Sequence, residues 1–199
     1  MGDKIKVIMD CDPGIDDGIA LAYAAAHQDE LELLAVTTSA GSTRIERVTK
    51  NALELLDFYG LKVPVAGGQD RPLVKAAIYA GEFHGETGLW TLRTAGSKTE
   101  AASDNAVLFI RDILNALPEG EQVVMIETAP MTNLALLLKV FPEIKNKIRK
   151  NCIYRRCSKR RKHHTGSRIQ HLRRSGGGKD RIRFRNPTDH VRTGCYTEM

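Results

Sequence analysis

The sequence predicts an α/β fold, an open, mostly parallel, doubly wound sheet with helices on both faces. Two observations predict it. Short apolar runs rich in Val, Ile and Leu alternate with longer stretches at helical spacing, which is the rhythm of strands joined by crossover helices. Four carboxylates crowd into eight residues just after the first apolar run, where parallel sheets hold their ligands.

The elements follow in order. Lys6-Val7-Ile8-Met9 is an apolar run that ends in Asp10-Cys11-Asp12-Pro13-Gly14, a buried strand and then a turn. Asp16 to His27 is Ala-rich, with Ile19, Tyr23 and Ala26 at helical spacing. Leu31–Thr38 reads as a second strand, and Ile45–Tyr59 as a helix through Val48, Ala52, Leu55 and Leu56. Val63–Ala66 is a short strand before Gly67-Gly68. Asn105–Leu117 is helical, Gln122–Glu127 a strand, and Thr132–Lys139 a helix that stops before Pro142.

Length and charge bound the function classes. The chain has 199 residues, 42% hydrophobic and 27% charged. That suits one ordinary domain, or a domain with a tail, and is too apolar for a disordered chain. No run approaches the ~18 apolar residues of a membrane span. The N-terminus has no apolar signal core, and Lys6 stands where a myristoylation site needs Ser or Thr. The expectation is a cytoplasmic protein with no membrane partner. The net charge of +6 hides a split. Residues 1–150 carry 16 Lys and Arg against 21 Asp and Glu, and residues 151–199 carry 14 against 3. An acidic domain over 1–150 is joined to a basic segment over 151–199.

The carboxylates Asp10, Asp12, Asp16 and Asp17 carry the chemistry. A helix N-terminus offsets roughly 0.3–1 kcal/mol per nearby negative charge, which is small against the mutual repulsion of four acids. A bound cation resolves the conflict, and oxygen ligands suit Ca²⁺ or Mg²⁺. The alternative is that Asp16 caps the helix and the other acids lie on the surface. No GxGxxG nucleotide loop accompanies the cluster.

Asp10-Cys11-Asp12-Pro13-Gly14-Ile15-Asp16-Asp17 resembles the N-terminal motif of the inosine–uridine-preferring nucleoside hydrolases. Further resemblances follow in the family's order: Thr37-Thr38-Ser39-Ala40-Gly41, Val48-Thr49-Lys50-Asn51-Ala52, Val65-Ala66-Gly67-Gly68, His84-Gly85-Glu86-Thr87-Gly88-Leu89, and Glu127 through Ala135. The resemblance covers about residues 4–150. It implies a hydrolase that cleaves the N-glycosidic bond of ribonucleosides such as inosine or uridine, and a homo-oligomer for the intact family. It implies Asp12 and Asp17 as Ca²⁺ ligands with the carbonyl of Thr128, and Asp12 as general base. Asp16 would bind the ribose hydroxyls, His84 would lie near the base or the 5′ side of the ribose, and Asp10 would support the loop from behind. Such a reaction passes through an oxocarbenium-like state that carboxylates stabilise.

Two positions depart from the family pattern. Ser42 stands in the substrate-binding position where the family has Asn, and its hydroxyl is shorter than an amide. Trp90 follows Gly88-Leu89 where the family reads Asp-Gly-Pro.

After residue 150 the family's Gly-Gly strand, its Glu-Phe-Asn segment and its late His-Asp pair are not visible. A one-base shift accounts for this. Arg168-Ile169-Gln170-His171 can be written CGA ATT CAA CAT, and one base later this reads Glu-Phe-Asn. Asn151 to Cys157 likewise permits Ile-Val-Tyr-Ile-Gly-Gly in the same frame. The expectation is a chain that leaves its frame near Lys150-Asn151, giving a sheet incomplete at the C-terminus and a hydrolase weakly active or inactive.

The segment has two other readings. As a phosphate-binding tail it makes the chain a nucleic-acid-binding protein, but aromatics for base stacking are sparse there. As a zinc site, Cys152, Cys157, His163 and His164 have a spacing that fits no common finger. Its composition predicts a solvated, disordered segment.

Sequencing the coding DNA across codons 145–155 is expected to show one extra base in an A-rich run. An in-frame gene found again in a second isolate overturns the shift.

Overall fold

The structure is a computed structural model that describes residues 4–154, except 75, 80, 86, 90, 91, 93 and 95. Trp90 and the basic segment beyond Tyr154, with Cys157, His163 and His164, lie outside the described residues.

Five strands form one parallel sheet: β1 (Ile5–Cys11), β2 (Leu31–Thr38), β3 (Val65–Ala66), β4 (Val123–Glu127) and β5 (Ile148–Ile153). Their spatial order is β3-β2-β1-β4-β5. The helices are α1 (Ile15–Ala26), α2 (Ile45–Phe58), a single turn α3 (Gly81–His84), α4 (Ala106–Ala116) and α5 (Thr132–Val140), and a 3₁₀ helix spans Pro142–Lys147. This is the predicted open α/β fold.

Successive side chains of a strand point to opposite faces, and each face has its own helices. Ile8, Ala35, Val123 and Met125 pack with Ile110 and Leu114 of α4 and with Leu134 and Leu137 of α5. Met9, Cys11, Val36 and Val65 pack with Leu21 of α1 and with Ala52, Leu55 and Leu56 of α2. The β1–β2 register shifts between Val7 and Ile8, which pair with Leu33 and Ala35. Leu34 is therefore an extra residue, and both it and Ala35 turn to the α4–α5 face.

The sequence placed most elements to within two residues. β1 is longer than its apolar run, because Asp10 and Cys11 still pair with Thr37 and Thr38. The helical stripe read in α1 faces outward, with Ile19 68% and Tyr23 60% exposed. Close packing chooses the other face. Gly18 lies over Leu55 of α2, where a Cβ would sit 3.8 Å from it, and the Tyr59 hydroxyl donates to the Gly18 carbonyl at 3.1 Å. β5 was not anticipated, since Arg149, Lys150 and Asn151 break any apolar run. Among the described residues it pairs only with β4, and it runs across position 150.

The chain goes from β1 outward to β3 and then returns to place β4 on the other side of β1. The crevice of such a sheet opens where the order reverses, at the carboxyl ends of β1 and β4. Among the described residues, no helix is long and apolar enough to cross a membrane.

Leu137 is fully buried, and Val140, three residues on in the same helix, is 58% exposed. Leu137→Ala is expected to cost about 2–5 kcal/mol in urea unfolding, and Val140→Ala less than about 0.5 kcal/mol. Equal costs would contradict this core.

Candidate active site

The strand ends at the reversal point are unusually acidic. Asp10, Asp12, Asp17 and Glu127 are each no more than 1% exposed. All four lie close enough to push the Cys11 thiol up, although burial is the larger cause, so Cys11 stays protonated. Its Sγ–H points to the Thr37 carbonyl at 3.6 Å.

Asp10 is held by two neighbouring elements. Its Oδ1 accepts from Thr37 Oγ1 of β2 at 2.6 Å and from Asn133 Nδ2 of α5 at 2.8 Å. Its carbonyl accepts from the Thr128 and Ala129 N–H groups at 2.9 and 3.2 Å. Burial raises the Asp10 carboxyl above its ordinary value, and the Thr37 and Asn133 bonds pull it back. Glu127, its partner across β1–β4, is raised well above the ordinary Glu value by burial first and by Asp10 second. Burial thus favours the neutral form of Glu127 more strongly than that of Asp10.

Asp12 is gripped by the loop after β2. Ser42 N–H donates to Asp12 Oδ2 at 2.5 Å, and Ser42 Oγ donates to the Asp12 carbonyl at 2.6 Å. Gly41 is required there, because a Cβ would sit 2.5 Å from Asp12 Oδ2 and 2.9 Å from Pro130 Cδ. Asp17 closes the start of α1: its Oδ2 accepts from Gly14 N–H at 3.1 Å. The alternative of Asp16 as the cap is thereby corrected, since Asp17 is the third helical residue and reaches back to Gly14. Asp16 is half-buried one position earlier, in the first turn of α1.

The remaining predicted residues border this cluster. His84 packs against Gly14, where a Cβ would meet its Nδ1 at 2.6 Å. Ile15 N–H donates to His84 Nδ1 at 3.4 Å, which puts the ring proton on Nε2. Thr128 is half-buried at the end of β4, next to Glu127. The Ser42 hydroxyl, expected on the substrate side, is spent on Asp12.

Three residues were missed. Glu127 reads in sequence as the last residue of a strand, with no role assigned to its carboxyl. Asn133 joins three elements: its Nδ2 also donates to the Thr38 carbonyl at 2.9 Å, and its Oδ1 accepts from Gln69 N–H at 3.0 Å. Asn51 Nδ2 donates to the Pro13 and Thr87 carbonyls at 3.1 and 2.8 Å, tying the aspartate loop to the loop behind His84. For both asparagines the available signal was their place in a motif already singled out.

The donor set has a definite chemistry. The Asp12 and Asp17 carboxylates and the Thr128 carbonyl are hard oxygens, the kind that Ca²⁺ takes. They fit a divalent cation in kind. Among the described residues, no three His, Cys, Asp or Glu side chains form a complete metal cage, so main-chain oxygen and water would have to complete one.

Fold and site together define a class: an open α/β protein with an acidic, oxygen-donor site where its sheet order reverses. Within it, the inosine-uridine preferring nucleoside hydrolase family matches residues 7–154, and the chain belongs to that family. It is 40% identical over 147 residues to the non-specific ribonucleoside hydrolase RihC of Escherichia fergusonii, covering 74% of this chain and 47% of the relative. The purine-preferring ribonucleoside hydrolase from Gardnerella vaginalis superposes with a TM-score of 0.69 at 32% identity, over 75% of this chain and 48% of that one. The plant nucleoside hydrolase PpNRh1 gives 0.70 at 31% identity, over 76% and 48%. The chain spans about half the length of the curated relatives it matches.

The Glu127 carboxyl gives a pH test. Folding holds the Glu127 carboxyl well above its ordinary value, to which it returns on unfolding, so its stabilising contribution fades as pH rises from the usual carboxylate range. Glu127→Gln keeps the shape and a donor but cannot ionise. Between about pH 5 and pH 8, without added metal, the wild-type chain is expected to lose thermal stability relative to Glu127→Gln. Parallel pH profiles would contradict the assignment.

Proposed function

We propose that this chain carries the cation-binding and base-supplying part of a calcium-dependent ribonucleoside hydrolase site. The observation that carries the reading is the burial of Asp12 and Asp17 together at the carboxyl end of β1, in a member of this family. Asp12, Asp17 and the Thr128 carbonyl would hold Ca²⁺. When bound, the ion supplies a positioned water made more acidic.

The chain's own groups do the rest. Asp12 accepts the proton of the attacking water, with its carboxylate held by Ser42. The acidic surroundings stabilise positive charge on the ribose as the N-glycosidic bond opens. Asp16, half-buried in the first turn of α1, accepts hydrogen bonds from the ribose hydroxyls. His84 offers its Nε2 proton at the far side of Gly14, toward the base or the 5′ end. Asp10, with Glu127, Thr37 and Asn133, keeps the loop in place from below.

Inosine and uridine are the substrates proposed. Residues 155–199 do not spell the ribose-binding Asn and Glu segment that the family resemblance implies. Turnover by this chain is therefore expected to be several orders of magnitude below that of RihC, because positioning weighs heavily on rate.

The test is calorimetric titration of the chain with Ca²⁺, beside inosine and uridine hydrolysis by the same samples. Wild-type chain is expected to bind one Ca²⁺, and Asp12→Asn and Asp17→Asn to lose it. Absence of binding, or binding that survives both substitutions, overturns the reading. Turnover matching RihC overturns the expected loss of rate.

A further inference from the structure

We infer that Ser42 is a positioning residue for Asp12: its hydroxyl and its N–H fix the Asp12 carboxylate in the orientation that receives the cation. The inference rests on the proposed role of Asp12 and goes beyond it, because Ser42 entered as a substrate contact.

The argument starts from the backbone. β1 ends at Cys11, so Asp12 leaves the sheet. The three consecutive carbonyls of Asp10, Cys11 and Asp12 are then buried and need donors. Asp10 O takes the Thr128 and Ala129 N–H groups, and Cys11 O takes the Ser39 N–H at 3.2 Å. Asp12 O takes a side chain instead, Ser42 Oγ at 2.6 Å. Pro13 has no N–H and allows little rotation at this turn, so the Ser42 bond fixes the peptide from which the Asp12 side chain springs.

The same residue then holds the other end. Ser42 N–H meets Asp12 Oδ2 at 2.5 Å, and both residues are fully buried. The two bonds form a closed ring through Asp12 and Ser42. Gly41 lets the loop come this close, as a Cβ there would collide with Oδ2. Ser39 Oγ anchors the loop to the Pro130 carbonyl at 3.1 Å, beside the Thr128 turn. A side chain of one carbon and one oxygen reaches the Asp12 carbonyl; pointing there, it leaves the sugar side.

A carboxylate with one oxygen and its own carbonyl pinned has little orientational freedom left to lose when it binds a cation. Removing the hydroxyl restores that freedom and weakens binding. Partners that orient a metal ligand commonly contribute ~10- to 100-fold in affinity.

The experiment is calorimetric Ca²⁺ titration of the full chain as wild type, Ser42→Ala, Ser42→Thr and Asp12→Asn, with metal-free thermal unfolding of each. The expected result is a Ca²⁺ affinity at least ~10-fold weaker in Ser42→Ala and restored to near wild type in Ser42→Thr. A folded Ser42→Ala chain with unchanged affinity overturns the inference, even if its unfolding midpoint drops, since a purely structural serine gives that pattern. Should Ser42→Ala not fold, Ser42→Thr decides alone: it keeps the hydroxyl and must keep the affinity. Wild-type binding that Asp12→Asn leaves intact overturns the reading of Asp12 and this inference with it, and it is distinguishable because Asp12→Asn, not Ser42→Ala, reveals it.

Discussion

The burial of negative charge at the end of β1 is the constraint on which the rest of the site depends. Asp10, Asp12, Asp17 and Glu127 are withdrawn from water within one small region. Ionised carboxylates do not survive such burial without donors or a shared proton. The structure answers with a different device for each. Burial holds the Glu127 carboxyl well above its ordinary value, which favours its neutral form. Asp10 takes two side-chain bonds, Asp12 is gripped by Ser42, and Asp17 is turned onto the start of α1.

These devices are also what joins the layers. Thr37 brings in β2, Asn133 brings in α5, and Asn133 in turn holds the loop after β3 through Gln69. Gly68 must be glycine for that loop to approach, since a Cβ would stand 2.4 Å from Asn133 Oδ1. The bonds that hold Asp10 are therefore also bonds between elements. A substitution there acts on stability and on chemistry together, which is why affinity and unfolding have to be measured side by side.

Much of the fold was legible in the sequence, for physical reasons. Leu31–Thr38 and the helix through Val48, Ala52, Leu55 and Leu56 showed themselves because their apolar spacing matches the face they bury. The orientation of α1 was not legible, because Gly18 and its neighbouring alanines offer close packing that outweighs Ile19 and Tyr23. β5 was hidden because Arg149, Lys150 and Asn151 interrupt its apolar pattern. The aspartate cluster was the plainest site signal, since its repulsion demands an explanation at sequence level. The raised Glu127 carboxyl and the inward turn of Ser42 were not legible, because each follows from burial among residues distant in the chain.

The central claim is that Asp12, Asp17 and the Thr128 carbonyl converge on a cation at the reversal point of the sheet. The most direct measurement is anomalous diffraction from crystals of the chain grown with Ca²⁺. The account predicts one peak about 2.3–2.6 Å from oxygens of Asp12 and Asp17 and from the Thr128 carbonyl. An empty position there in crystals saturated with Ca²⁺, or a peak only at surface acids such as Glu32 and Glu121, would contradict it.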